Sequence, residues 1–217
     1  MKNKITHIVS LCFILIAFGV SIYLYPLLPN KIAAHWNING EVDGYMSKFI
    51  GVFLAPIIML VLYIFYIFIP RIDPLSRNID EFRGAFNLFW IALFTFFFYI
   101  FAITTAWNVG MRFDFAYVMA PAMGLLFYFI GSLLRASKRN FFIGIRTPWT
   151  LSSDVVWHKT HRVGGRLFEF TGIFTIAASF FGGKVAMLTM LISIAISTII
   201  SIVYSYVLYK NLAKDNG

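Results

Sequence analysis

Three parts of the 217-residue chain gather side chains that could do chemistry. The first lies between Leu28 and Lys48 and holds His35, Trp36, Asn37, Gly40, Glu41, Asp43 and Tyr45. An imidazole beside two carboxylates could hold a cation, whereas a tryptophan and a tyrosine among polar turn residues could anchor a peptide. The same residues also suit a plainer role, with Trp36 and Tyr45 as interfacial anchors and His35 serving a turn backbone. The second part, residues 135–166, holds Asn140, Gly144, Arg146, Thr147, Pro148, Trp149, Trp157, Lys159, Thr160 and His161. His158 and His161 could share a metal at i, i+3, but no cysteine accompanies them and no third ligand is evident. The third is Glu169, an acid among apolar residues, which marks a functional position by default. Arg166 is its expected i, i+3 partner near the cytoplasmic end of a helix.

Nothing else reads as catalytic. The chain lacks His-Glu-x-x-His, Gly-x-Ser-x-Gly, a P-loop and paired intramembrane aspartates. The expectation is therefore no enzyme, no cofactor and no metal.

The elements that must position these residues follow from composition. The chain is 60% hydrophobic and 12% charged, against roughly 25% charged in ordinary globular chains, which excludes a water-soluble fold. The single cysteine, Cys12, lies in an apolar run and cannot form an intrachain disulfide. Runs of the length that crosses a bilayer are Ile8 to Leu28, Phe49 to Ile69, Ala85 to Ala106, Phe113 to Leu134 and Val185 to Tyr209. A shorter sixth lies between Arg166 and Lys184 and precedes a Gly182-Gly183-Lys184 turn; joined to the fifth it would span about 60 Å, so a hairpin is expected. The fold class is thus all-α, a polytopic membrane helical bundle of six transmembrane helices, with the first run retained as an anchor.

Net charge is +9, and fourteen of the eighteen Lys and Arg fall on the N-terminus, loops 70–84 and 135–166, and the C-terminus. The positive-inside rule then sets both termini in the cytoplasm, so the charge marks cytoplasmic loops, with lipid as partner and no direct nucleic-acid contact. The expected division is a two-helix module over 1–70 and a four-helix region over 71–217, in a multi-pass protein of the plasma membrane.

Local signals refine the loops. Asn39-Gly40 and Asp43-Gly44 read as turns. Ser153 or Asp154 is expected to cap a short helix from Val155 to His161, ended by Gly164-Gly165, with Trp157 and His161 on one face. Pro56 and Pro121 lie in similar strings of the second and fourth spans, and such paired interruptions can mark a midplane transport site.

The outer stretch Leu28-Pro29, Ile32, His35-Trp36-Asn37, Gly40 and Asp43-Gly44-Tyr45, followed by Asn140, Gly144 to Leu151, Trp157, Lys159-Thr160-His161 and Gly164-Gly165, resembles the SdpI immunity-protein family of bacterial membrane proteins. The resemblance covers most of the chain and implies protection from a secreted antimicrobial peptide toxin. It also implies holding a helix-turn-helix transcriptional repressor at the inner face. It makes the outer residues His35, Trp36, Asn37, Gly40, Asp43 and Tyr45 candidates for toxin contact, and the inner motif a candidate docking loop. The alternative is a small-solute or proton-coupled transporter built on Glu169 and the two prolines.

Overall fold

The computed structural model describes residues 2–215. In chain order the elements are α1 (Lys2–Leu24), a 3-10 turn (Tyr25–Leu27), β1 (Lys31–Trp36), β2 (Val42–Ser47), α2 (Lys48–Ile72), α3 (Ser76–Glu81), α4 (Arg83–Asn108), α5 (Phe115–Ala136), α6 (Pro148–Ser152), α7 (Asp154–Ser179) and α8 (Gly183–Asp215). Among the described residues five helices are long and apolar enough to cross a membrane: α1, α2, α4, α5 and α8. Their outward faces carry exposed Leu15, Ile22, Phe65, Ile192 and Ile199, the surface expected when the surrounding solvent is hydrocarbon.

Two groups of helices make up the bundle. In the first, α1, α2 and α4 enclose a core of Ile14, Ala17, Met59, Tyr66, Phe86, Trp90, Phe94 and Phe101. Aromatic rings dominate it: Phe13 stacks on Phe98 at 4.6 Å, and Tyr66 sits 5.7 Å from both Phe86 and Trp90. In the second, α7 packs along α5 and α8, and α4 joins α5 to the first group.

The α5–α7 contact is held by glycine. A Cβ on Gly131 would collide with the Gly165 carbonyl and lie 2.6 Å from the Glu169 amide; one on Gly124 would lie 2.7 Å from the Gly172 carbonyl. The two helices run antiparallel, with Gly124 facing Gly172 and Gly131 facing Gly165, one heptad apart on each. Small residues at such spacing let membrane helices approach backbone to backbone.

This seam corrects the expectation for residues 155–184. The anticipated short helix and the anticipated sixth run are one continuous helix, α7, which passes through Gly164-Gly165 without a break and ends at Ser179. The glycine pair resembled a helix stop, but its role is close packing: Gly165 would meet Arg135 Cγ at 2.5 Å and Gly164 the Ser201 hydroxyl at 2.8 Å if either carried a Cβ. The turn at Gly182 is present, with φ +114°.

The segment between α1 and α2 is a β-hairpin, a small exception within the helical fold. The β1 and β2 strands pair antiparallel from Lys31↔Ser47 to Trp36↔Val42, with an irregularity on either side of His35. Only one of the two expected turns is a turn. Gly40 sits in it at φ +79°, whereas Asp43-Gly44 lies inside β2, with Gly44 opposite His35. Asp-Gly signals a turn only when both residues are free to leave the extended region, and here the ladder holds them.

Candidate functional site

At the hairpin, strand alternation divides the sequence-selected residues. His35 points outward, where its Nδ1 lies 2.5 Å from Asp43 Oδ1; the two side chains are 71% and 44% exposed. Trp36 points inward, stacks on Phe115 of α5 at 3.8 Å and meets Trp107 of α4 edge-on at 5.9 Å, with Arg112 lying over the Trp107 ring. Asn37 builds the turn: its Oδ1 accepts from the Asn39 and Glu41 amides, and its Nδ2 donates to Glu41 Oε2. Gly40 rests on the start of α5, where a Cβ would lie 2.6 Å from Asp114 Oδ1 and 3.2 Å from the Phe115 amide. Tyr45 stands apart, 65% exposed. Five of the six therefore form one structure, with Tyr45 on its rim.

A cavity of about 230 Å³ opens beneath this hairpin between α4, α5 and α8, bounded by His35, Trp36, Thr104, Phe115, Met119 and Met187. The buried Trp36 indole N–H has no hydrogen-bond acceptor, so this wall carries an unused donor. The two carboxylates beside His35 are turned to different partners, Glu41 to Asn37 and Asp43 to His35. Among the described residues no three His, Cys, Asp or Glu side chains converge as a ligand set.

At the opposite end, residues 137–153 form a loop closed by its own side chains. Asn140 is fully buried and uses its whole amide: Oδ1 accepts from the Phe142 and Ile143 amides, and Nδ2 donates to the Lys138 and Ile143 carbonyls. Arg146 donates to the Phe141 carbonyl. Thr147 caps α6 in a capping box with Thr150, and its hydroxyl lies 3.2 Å from that of Ser205 on α8. Pro148 takes the first position of α6, which tolerates a missing N–H, and Trp149 packs on Tyr206 of α8 at 5.0 Å.

The α7 face expected from its spacing is present. Ser153 caps the helix at the Val156 amide, and Trp157 and His161 stack at 3.9 Å. Trp157 Nε1 donates to the Ser137 carbonyl. His161 Nδ1 donates to the Trp157 carbonyl and Nε2 accepts from the Ile145 amide, which defines the tautomer. Burial lowers the His161 pKa to about 4, and the charge of His158 acts the same way against the raising effect of the Trp157 carbonyl. Both nitrogens are thus occupied, which removes the paired-histidine metal site. Gly144 adopts φ +125°, and a Cβ there would strike His161 Nε2. Thr160 is buried, while Lys159 is exposed.

Glu169 departs from its expected partner. Its carboxylate is gripped by Arg135 Nη1 of α5 at 2.9 and 3.0 Å, across the glycine seam, and not by Arg166. The close approach of α5 and α7 brings a side chain 34 positions away nearer than the i, i+3 neighbour.

Several residues that organise both ends carried no local signal. Buried Asp73, just after α2, accepts from the Leu75 amide and, through its other oxygen, from the Phe141 amide of the inner loop. Asn78 of α3 donates to the Arg139 carbonyl. Asn108, at the end of α4, clamps β1 by accepting from the Ala33 amide and donating to its carbonyl.

Five spanning-length apolar helices, aromatic packing and two polar end structures define a multi-pass helical protein of the plasma membrane. Residues 136–205 match the SdpI/YfhL protein family and residues 12–60 match a domain of unknown function, DUF1648. Similarity continues between and beyond these matches: the chain is 28% identical over 213 residues to Immunity protein SdpI of Bacillus subtilis (strain 168), covering 98% of each. The chain is thus similar to the SdpI/YfhL proteins over residues 136–205 and to one immunity protein along nearly its whole length. No solved structure matches it significantly.

Proposed function

We propose that this chain is a membrane immunity protein that protects its host from a secreted antimicrobial peptide, with no catalytic step. The observation that carries the reading is the end-to-end similarity to a protein named for immunity, which spans both end structures and the helices between them. Six spans with both termini in the cytoplasm accompany the proposal, with the apolar half of α7 as the short sixth, packed between α5 and α8. In that orientation the hairpin faces outward. It offers an exposed imidazole–carboxylate pair and Tyr45 above a partly apolar cavity, a surface suited to an amphipathic peptide.

The finer part of the reading is signalling by retention of a repressor. It is supported by the inner surface, where exposed Phe141, Phe142 and Val155 lie among exposed Lys159, Arg162 and Arg166. A small helix-turn-helix protein with an acidic, apolar patch would fit there.

His35→Ala is the cleanest test, because the His35 side chain is 71% exposed and its one polar partner is Asp43. A sensitive bacterial host expressing wild type is expected to survive secreted membrane-active peptides, and the variant, present at equal level in the membrane, to lose that protection. Undiminished protection by His35→Ala would move the site off the hairpin. The transporter reading rests on Glu169 and predicts proton-dependent uptake that Glu169→Gln abolishes; the grip of Arg135 on that carboxylate speaks for a structural pair.

A further inference from the structure

The basic end of the bundle holds a further feature, which shares Arg162 with the proposed repressor face. A cavity of about 370 Å³ lies between α5 and α7, bounded by Ser132, Arg135, His158, Arg162 and Glu169. Its only acid is already engaged. Both Glu169 oxygens bond to Arg135 Nη1, so Arg135 keeps its Nη2 and Nε donors. Among the described residues the Arg162 and His158 side chains make no ion pair or hydrogen bond, and the Ser132 hydroxyl is also unused. Two guanidinium groups, an imidazole and a hydroxyl thus face a space with one neutralised carboxylate, an arrangement that recognises a phosphate.

A second feature adjoins it. A groove of about 670 Å³ runs between α4 and α5, lined by Leu88, Ala92, Phe96, Ala122, Leu125 and Phe129 among others. Its polar groups at Thr95 and Tyr99 are spent on the Ile91 and Val118 carbonyls, so apart from the Tyr117 hydroxyl at the far end the walls offer apolar contact. Leu125, Phe129, Ser132 and Ala136 succeed one another on α5 at steps of four, three and four residues, which places groove and cavity along one helix face. From Ser132 to Tyr117, the far end of the groove on α5, is about 22 Å, within the roughly 30 Å of hydrocarbon in a bilayer.

We propose that cavity and groove together form a site for an anionic phospholipid of the inner leaflet, with its phosphate among Ser132, Arg135, His158 and Arg162 and an acyl chain along α5 in the α4–α5 groove. The groove is mostly apolar, the charge at its inner end is positive, and the junction lies where a headgroup meets hydrocarbon. Bound there, the lipid lies against the α5–α7 seam at the level of the Arg135–Glu169 pair.

The test is lipid titration of the full-length protein, delipidated in detergent, followed by native mass spectrometry. Phosphatidylglycerol is expected to bind about tenfold more tightly than phosphatidylcholine, and the double variant Arg162→Gln/His158→Gln to reduce that preference to about twofold. Arg162→Lys, which keeps the charge, is expected to retain most of the preference, separating loss of the site from loss of fold. Millimolar inorganic phosphate is expected not to displace phosphatidylglycerol; full displacement would assign the cavity to a free anion and overturn the lipid site. Equal affinity for the two lipids in wild type, or an undiminished preference in the double variant, would also overturn it.

Discussion

Substituting Gly131 by alanine tests the glycine seam most directly. A Cβ at Gly131 would stand 2.6 Å from the Glu169 amide nitrogen and 2.8 Å from Glu169 Cγ, and it would collide with the Gly165 carbonyl. Ordinary contact begins near 3.4 Å, so α7 must retreat by about 1 Å to clear the Gly165 carbonyl. Two of the three atoms belong to the α7 backbone, and no rotamer change can relieve them. Overpacking of this kind costs about 1–3 kcal/mol, against a gain of about 1 kcal/mol from replacing glycine within a helix. Retreat also lengthens the Arg135–Glu169 pair, so a net loss of about 1–2 kcal/mol is expected. In a chain of this size that lowers the midpoint of thermal unfolding by roughly 3–6 °C, read by circular dichroism in detergent micelles. Gly19→Ala is the internal control, since nothing lies within 4 Å of its Cβ, and it should hold or raise the midpoint. A Gly131→Ala protein as stable as Gly19→Ala would show that the helices do not meet as described. Gly131→Ala combined with Gly165→Ala should cost less than the sum of the two, because one separation relieves both.

Three further outcomes follow from the end structures. His161 is held neutral by burial with a pKa lowered to about 4, whereas its unfolded imidazole titrates near 6.5. Stability should therefore be level above about pH 6.5 and decline by up to roughly 3 kcal/mol toward pH 4; a His161→Phe protein, less stable throughout, should show a flatter decline in denaturant unfolding. Asn140→Ala removes four hydrogen bonds in a buried loop and should destabilise by about 2–4 kcal/mol, seen as faster tryptic cleavage at Arg139 and Arg146. Asn108→Ala frees both backbone groups of Ala33, and hydrogen exchange should accelerate across β1 while the α2 core stays protected.

The sequence was most readable where a single physical constraint dominates. Hydrocarbon thickness demands long apolar helices, so α1, α2, α4, α5 and α8 stand out by length and composition. Local capping chemistry likewise exposed Ser153, and the i, i+4 spacing exposed the Trp157–His161 face. Readings failed where the deciding contact is distant in sequence. The pairing of Glu169 with Arg135 depends on how closely two helices pack, and Gly164-Gly165 reads as a helix stop unless Arg135 and Ser201 are known to lie against it. The hairpin escaped notice because its strands are six residues each, interrupted beside His35, and stabilised from outside by Asn108, Trp107 and Phe115. Asp73 and Asn78 sit in unremarkable loop sequence, and only the folded loop against them reveals their part.

The Asp73–Phe141 bond also has a meaning in time. A chain emerging from the ribosome at about 5–20 residues per second exposes Asp73 several seconds before the amide it serves, because 68 positions separate them. The Ala33 backbone waits about as long for Asn108, 75 positions on. Both ends of the bundle are therefore left open during synthesis and are closed by later arrivals: the hairpin once α4 is complete, and the junction after α2 once the inner loop has followed α5. A ribosome stalled after residue 100 would hold a hairpin without its clamp, so accessibility of the β1 amides in arrested chains of increasing length would date the moment at which the outer face takes its shape.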